Sequence, residues 1–236
     1  VYLFKILKGI CLGIFSILIG GETPFFIHET LNYSASFSGV KAGTGSLKVI
    51  NEDENSFHIQ FRAKTNKLTS YVFPIDDIID IWIDKKKLTP TLIKEDISEG
   101  NYKRKSTIEF FQNKGKATIN NRDTISFNSN VHSPYSLFYL FRKFDIMNYK
   151  DKTINLFQKK SVNPIKIHVE NGVTVITNIG DYICTKVSPA RSDNKQFKNK
   201  SSISIWFSEG PKKYPVQIWL KMKYGGLMLK LEETIN

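Results

Sequence analysis

The sequence predicts an all-β protein: one antiparallel sheet domain interrupted by a single core helix near 134–144. Three observations lead there. Apolar and polar residues alternate with a period of two through most of the chain, the pattern of a strand with one buried face. Glycines recur between these runs where turns or bulges are needed. No strand–helix–strand rhythm and no fixed repeat is present.

Along the chain, Leu31, Tyr33, Ala35 and Phe37 alternate with Asn32, Ser34 and Ser36. Phe57, Ile59, Phe61 and Ala63 alternate with His58, Gln60 and Arg62, and Ile79, Ile81 and Ile83 with Asp80, Trp82 and Asp84. A short helical turn fits Leu68–Phe73, stopped by Pro74. Ser133 is a good N-cap and Pro134 a good first helical residue. Leu137, Phe138, Leu140, Phe141 and Phe144 follow at helical spacing, and Arg142 and Lys143 complement the dipole at the C-terminal end. Asn171-Gly172 between β-rich runs predicts a hairpin turn. Two further alternating runs lie toward the C-terminus, Ile203, Ile205 and Phe207, then Val216, Ile218, Leu220 and Met222. Matching their apolar faces pairs Ile205 with Ile218 and Phe207 with Val216. Residues 190–201 read as a mobile loop.

The 236 residues carry 34 Lys+Arg against 22 Asp+Glu, a formal net charge of +12, with 41% hydrophobic residues. That balance is globular and excludes wholesale disorder, collagen and coiled coil. Residues 1–21 place Lys5 and Lys8 before an uncharged apolar stretch, which predicts a secretory signal peptide or, alternatively, an uncleaved N-terminal anchor. Residues 22–236 are expected to form a single domain. Without Lys5 and Lys8 that body keeps 32 basic against 22 acidic residues, net +10. Such a charge favours anionic partners. Export and the scatter of the lysines over separate clusters, such as Lys85-Lys86-Lys87 and Lys212-Lys213, argue against nucleic acid.

All three tryptophans sit on the polar series of their strands: Trp82, Trp206 and Trp219. The pairing of the two C-terminal runs puts Trp206 and Trp219 on one face as diagonal neighbours. An indole offers on the order of 200 Å² of buriable surface, so at ~25 cal/mol/Å² leaving it bare forgoes several kcal/mol. A helix, a loop or the chain's own curl must cover these rings, or else a ligand does.

Catalytic and metal templates are missing. His28, His58, His132 and His168 stand singly, with no zinc spacing and no GxSxG nucleophile elbow. Cys184 reads as a small buried hydrophobe. Asp76, Asp77, Asp80 and Asp84 are the densest acidic group and read as solvated or turn-forming, with calcium binding, or acid–base work if a histidine converges on Asp76 or Asp77, as the alternatives. No cofactor, no metal and no enzymatic activity are expected.

Five stretches then suggest a family: ETLNYSASFSGVKAGTGSLKV from Glu29, TSYVFPIDDIID from Thr69, SPYSLFYLFRKFD from Ser133, NIGDYICTKVSP from Asn178, and ISIWFSEGPKKYPVQIWLKMKYGGLMLKLE from Ile203. Their order and spacing resemble the exported bacterial proteins of domain of unknown function 3108, with a departure at Thr177-Asn178-Ile179. The resemblance implies a periplasmic or envelope protein with a highly curved antiparallel sheet, an incomplete barrel similar to those of lipoprotein carriers. It carries no activity and no catalytic residues. The expectation is a non-catalytic module binding a lipid, acyl chain or other amphipathic envelope molecule. Trp82, Trp206, Trp219, Phe138 and Phe141 would line the site, and Lys221 and Lys223 would meet an anionic head. The alternative is a structural or assembly protein docking on an envelope partner or murein through sheet edges and a basic surface.

Overall fold

Alternation is realised as one sheet of fifteen strands. The computed structural model describes residues 24–236 except 159, 192–201, 223–224 and 236, and gives only the backbone at 190, 191, 202, 221, 222 and 225. The leader expected over 1–21, Lys223, and all of the loop expected over 190–201 but its first two residues lie outside the described residues. The strands are β1 (Thr30–Phe37), β2 (Val40–Glu52), β3 (Ser56–Thr65), β4 (Asp76–Asp84), β5 (Pro90–Glu99), β6 (Tyr102–Phe111), β7 (Lys116–Ile119), β8 (Asp123–Ser126), β9 (Val131–His132), β10 (Thr153–Gln158), β11 (Ser161–Thr177), β12 (Gly180–Arg191), β13 (Ser202–Ser208), β14 (Pro215–Met222) and β15 (Gly225–Ile235). Two helices accompany them, α1 (Lys67–Ser70) and α2 (Pro134–Lys143).

The spatial order is β8 through β1 in descending sequence, then β15 through β9. The first strand therefore lies in the middle of the sheet, and the following strands run as a meander to one edge. The chain crosses through α2 to the other edge and meanders back until β15 pairs with β1. Neighbours are antiparallel except the short β9–β10 pair. Ser38 and Gly39, both at positive φ, make the two-residue turn between β1 and β2, the geometry that matches strand twist.

The two edges of this curved, open sheet face each other and are joined by side chains. Gln112, just past β6, donates to the carbonyls of Pro90 (3.1 Å) and Val131 (3.0 Å) and accepts from the Val131 amide (3.1 Å). Phe110 of β6 meets Phe157 of β10 edge-on at 5.1 Å. Lys160 pairs with Asp123 at 2.7 Å. Exposed strand edges invite pairing with other chains, and here the two edges are tied to each other through these side chains without strand pairing between them.

Two local expectations need correction. Asn171-Gly172 is a bulge inside the β11–β12 ladder, with Gly172 at φ +72, and the turn comes later, at Asn178-Ile179. A left-handed Gly serves a bulge as well as a hairpin. Ile205 does pair with Ile218, but Phe207 pairs with Pro215, because a bulge between Trp206 and Phe207 absorbs Val216. The Pro215 carbonyl there accepts the buried Tyr33 hydroxyl at 2.9 Å.

α2 begins as its sequence dictates, with Ser133 and Ser136 forming a reciprocal capping box and Pro134 at the first turn. Its apolar side is buried on the concave side of the sheet, where Phe138 meets Phe61 of β3 and Phe141 meets Phe207 of β13. It lies across one end of the sheet. Lys143 donates to the Lys85 carbonyl in the β4–β5 turn, and Lys213 of the β13–β14 turn donates to the Phe144 carbonyl.

Arg142 fixes this arrangement. Its guanidinium makes a bidentate pair with Glu29 (2.6 and 2.8 Å), both side chains 1% exposed. It also donates to the carbonyls of Lys212 (3.1 Å) and Pro24 (2.9 Å), within 6 Å of the rings of Phe25, Tyr139 and Tyr214. Removing one partner of a buried pair leaves an uncompensated charge. Glu29→Ala or Arg142→Ala is expected to cost about 3–5 kcal/mol in urea denaturation. The double variant Glu29→Leu/Arg142→Met should lose less than the sum of the two single losses.

Candidate functional site

The concave face is sealed at the α2 end and open at the other. Along β1 the inward residues Leu31, Tyr33, Ala35 and Phe37 are 1, 1, 8 and 36% exposed. The same gradient runs along the other strands: Ile59 is buried and Phe61 and Ala63 half-buried; Val216 and Ile218 are buried and Leu220 half-buried; Ile205 is buried and Ile203 half-buried; Leu231 is buried and Leu229 and Leu227 half-buried. α2 supplies the floor, with the Tyr135 ring 4.9 Å from Phe61. Half-buried apolar side chains, Phe61, Ile203, Leu220, Leu227 and Leu229, thus occupy the concave face beyond Tyr135 of α2, and this part of the face is called the cup.

One wall of the cup is polar. Asp77 stands in phase with Ile79, Ile81 and Ile83, so it faces inward, as do Glu95 beside Ile93 and, across the ladder, Arg104 and Ser106. Glu95 accepts from Ser106 (2.6 Å) and pairs with Arg104 (2.7 Å). Asp77 accepts from the Ser98 amide (2.8 Å) and shares a hydrogen bond with Glu99. Partial burial, and then their mutual charge in the case of Glu99, push both carboxyls above the usual carboxylate range. Burial likewise raises the Tyr135 phenol.

The residues singled out from sequence divide between the two faces. Phe138 and Phe141 are inside and buried. Trp82, Trp206 and Trp219 share the convex face, as their phase requires, so the sheet separates them from the two phenylalanines. Trp82 stacks on His58 (centroids 4.1 Å apart, 7° between planes), with the Lys94 ammonium 5.4 Å from its ring. Past its bulge, the β11–β12 hairpin bends over β13–β15: Lys230 donates to the Ile176 carbonyl (3.1 Å), and Cys184 and Val175 become buried. This is the chain's own curl, and it covers the region of Trp206. Trp219 needs Gly226 beside it, since a Cβ there would lie 2.7 Å from the indole nitrogen. The backbone of Lys221 pairs with Ser202 and Gly226.

No histidine joins Asp77 among the described residues. His58 bonds to Asp80 (2.8 Å) on the convex face, with Gln60 on the same carboxylate oxygen (3.0 Å). His132 is buried beside Leu88 at the closed end, and burial lowers its pKa to about 4. Asp76 points outward to Arg62 and Lys64. Burial lifts the Cys184 thiol to about 11, away from thiolate chemistry. No cluster of three or more metal-ligating side chains occurs among the described residues. In a shallow convex groove of about 510 Å³ over β3, β2, β1 and β15, Glu233 accepts from the Asn32 amide (2.8 Å) and Arg62 pairs with Asp76 at its side (3.0 Å).

Comparison with known proteins adds the following. The sequence profile of the family described as "Protein of unknown function (DUF3108)" matches residues 32–232. No curated protein matches. The fold is similar to a beta-barrel-like protein of domain of unknown function DUF1849 from Brucella abortus, at 10% identity and a TM-score of 0.61, covering 88% of this chain and 97% of that one. The hypothetical protein CT021 from Chlamydia trachomatis aligns at 7% identity and a TM-score of 0.36 over 87% of each chain.

The polar wall has a stability consequence. A carboxyl whose folded pKa is raised favours folding when protonated and opposes it once ionised. Asp77→Asn keeps the acceptor for Ser98 and removes the charge beside Glu99. It should stabilise the protein at pH 7 by a few tenths of a kcal/mol, about the scale of a half-exposed charge interaction. The gain should fade as pH falls through the raised pKa of Asp77, which thermal melts across that range would read.

Proposed function

The chain belongs to the DUF3108 family, and we propose that it is a non-catalytic module that binds an amphipathic molecule, a lipid or acyl chain, inside the cup. The single observation behind this reading is the gradient of burial on the concave face: well-packed apolar side chains at the α2 end give way to half-exposed ones at the open end. A monomer gains nothing by turning Phe61, Ile203, Leu220 and Leu229 toward an unfilled interior. An acyl tail there would be favoured by ~0.8 kcal/mol per buried CH₂ before ordering costs. The polar end of the ligand would meet Arg104, Glu95 and Glu99 at the wall. Binding rests on burial and hydrogen bonding, with no covalent step.

The leader-like residues 1–21 and the basic balance support an exported, periplasmic setting for this activity. The competing reading, docking through sheet edges, is less well supported, because the β6–β8 edge and the β9–β10 edge are engaged with each other.

The reading moves the binding residues from the indoles to the cup. Titration with a fluorescent fatty acid should give saturable binding. Leu220→Trp and Leu229→Trp, which fill the cup, are expected to weaken it about tenfold, ~1.4 kcal/mol, with near-UV circular dichroism verifying the fold. Trp82→Ala and Trp206→Ala on the convex face should leave the affinity within about twofold. Absence of binding, or sensitivity at the indoles instead of the leucines, would overturn the proposal.

A further inference from the structure

The open end carries an apolar tip that the cup does not use. In α1 and the segment after it, Leu68, Tyr71 and Val72 are 81, 78 and 86% exposed, and Phe73 and Tyr102 beside them are about half exposed. The tip is held in place. Asn66 caps α1 through Thr69 (2.8 Å) and donates to the Lys41 carbonyl (3.0 Å), while Gly100 bonds to the Pro74 carbonyl (2.7 Å). Phe73 rests on Gly100, where a Cβ would lie 3.0 Å from its ring. Several large apolar groups displayed together on a fixed protrusion mark an interaction surface.

The surrounding charge selects the partner. Of the acids near the tip, Asp76 is paired by Arg62 and Lys64, Glu232 by Lys41 and Asp96 by Lys105, while Asp77 and Glu99 turn inward and share a hydrogen bond with each other. Lys67 in α1 and Lys103 next to Tyr102 are in no ion pair among the described residues. We propose that this tip docks on the surface of an anionic lipid bilayer. Leu68, Tyr71 and Val72 enter the interface, and Lys67 and Lys103 meet the head groups. A narrow apolar protrusion flanked by free ammonium groups fits a deformable anionic interface, which takes up such groups and attracts nearby lysines. A rigid protein partner would need a matching pocket. The docking is independent of what the cup binds, and it turns the cup's opening toward the membrane.

The test uses the full chain in a Cys11→Ser background, with the environment-sensitive dye NBD attached at Val72→Cys. Cys184 is buried and does not compete for the label. Ile183→Cys, exposed on the β11–β12 hairpin, is the control. Vesicles of equal parts phosphatidylglycerol and phosphatidylcholine should raise and blue-shift the emission several-fold at position 72 and leave position 183 unchanged. Phosphatidylcholine alone, or Lys67→Glu/Lys103→Glu with anionic vesicles, should give little response. Equal responses at 72 and 183, no response at 72, an equal response on neutral vesicles, or a rise with protein concentration in the absence of lipid would each overturn the proposal. Each of these outcomes is independent of fatty-acid binding.

Discussion

A guanidinium buried in the closed end of a β-sheet costs several kcal/mol unless nearly every donor is met. Arg142 meets that demand by drawing three separate parts of the chain to one point: the segment leading into β1 through Pro24 and Glu29, α2 itself, and the β13–β14 turn through Lys212. None of these could move alone without leaving a buried guanidinium donor, or the Glu29–Arg142 charge pair itself, without its partner. The pair therefore sets the position of the only long helix among the described residues. Tyr139, Phe25 and Phe57, stacked edge-on at 4.9–5.1 Å, pack the space around it.

The position of α2 decides what the rest of the concave side can be. A helix with its side chains is about 10–12 Å thick, whereas the eight residues of β1 extend about 26 Å at ~3.3 Å per residue. A helix lying across the sheet fills one layer of the interior and leaves the next without a partner. The fall in burial from Leu31 to Phe37, and from Ile59 to Ala63, follows from those two lengths. The inward carboxyls belong to the same geometry. Asp77, Glu95 and Glu99 tolerate an inward position because each has a hydrogen-bonding or ionic partner there, Ser98, Ser106 with Arg104, and Asp77 respectively, close to Tyr135 of α2.

Much of this was legible in the residues. Period-two runs located the strands, Ser133-Pro134 located the start of α2, and the pairing of Ile205 with Ile218 placed Trp206 and Trp219 on one face. Asn171-Gly172 misled because a glycine at positive φ suits both a hairpin and a bulge, and only pairing with distant residues chooses between them. A curved sheet around the helix was expected from the family resemblance, but the residues lining its open part were missed. Periodicity states which residues share a face, but not which face a curved sheet turns inward or how far along it a helix reaches. One signal was present and unused: Asp77 near the start of β4 and Glu99 at the end of β5 stand in the apolar phase of their strands, and a charge in that phase near a strand end marks a rim.

The indoles show why phase alone does not make a site. Trp82 finds its cover in the His58 ring and the Lys94 side chain, Trp206 lies under the bent β11–β12 hairpin with the Lys186 ammonium 5.5 Å from its ring, and Trp219 fits against Gly226. Each solution uses different elements, so the convex face presents no continuous apolar surface assembled from all three. The large side chains left most exposed, Leu68, Tyr71 and Val72, gather instead beside the one opening of the sheet. An outward aromatic that the fold has covered is part of its stability. An outward aliphatic that the fold holds in place and leaves bare is available to a partner. By that distinction, the mouth of the cup and its tip are where this protein meets other molecules.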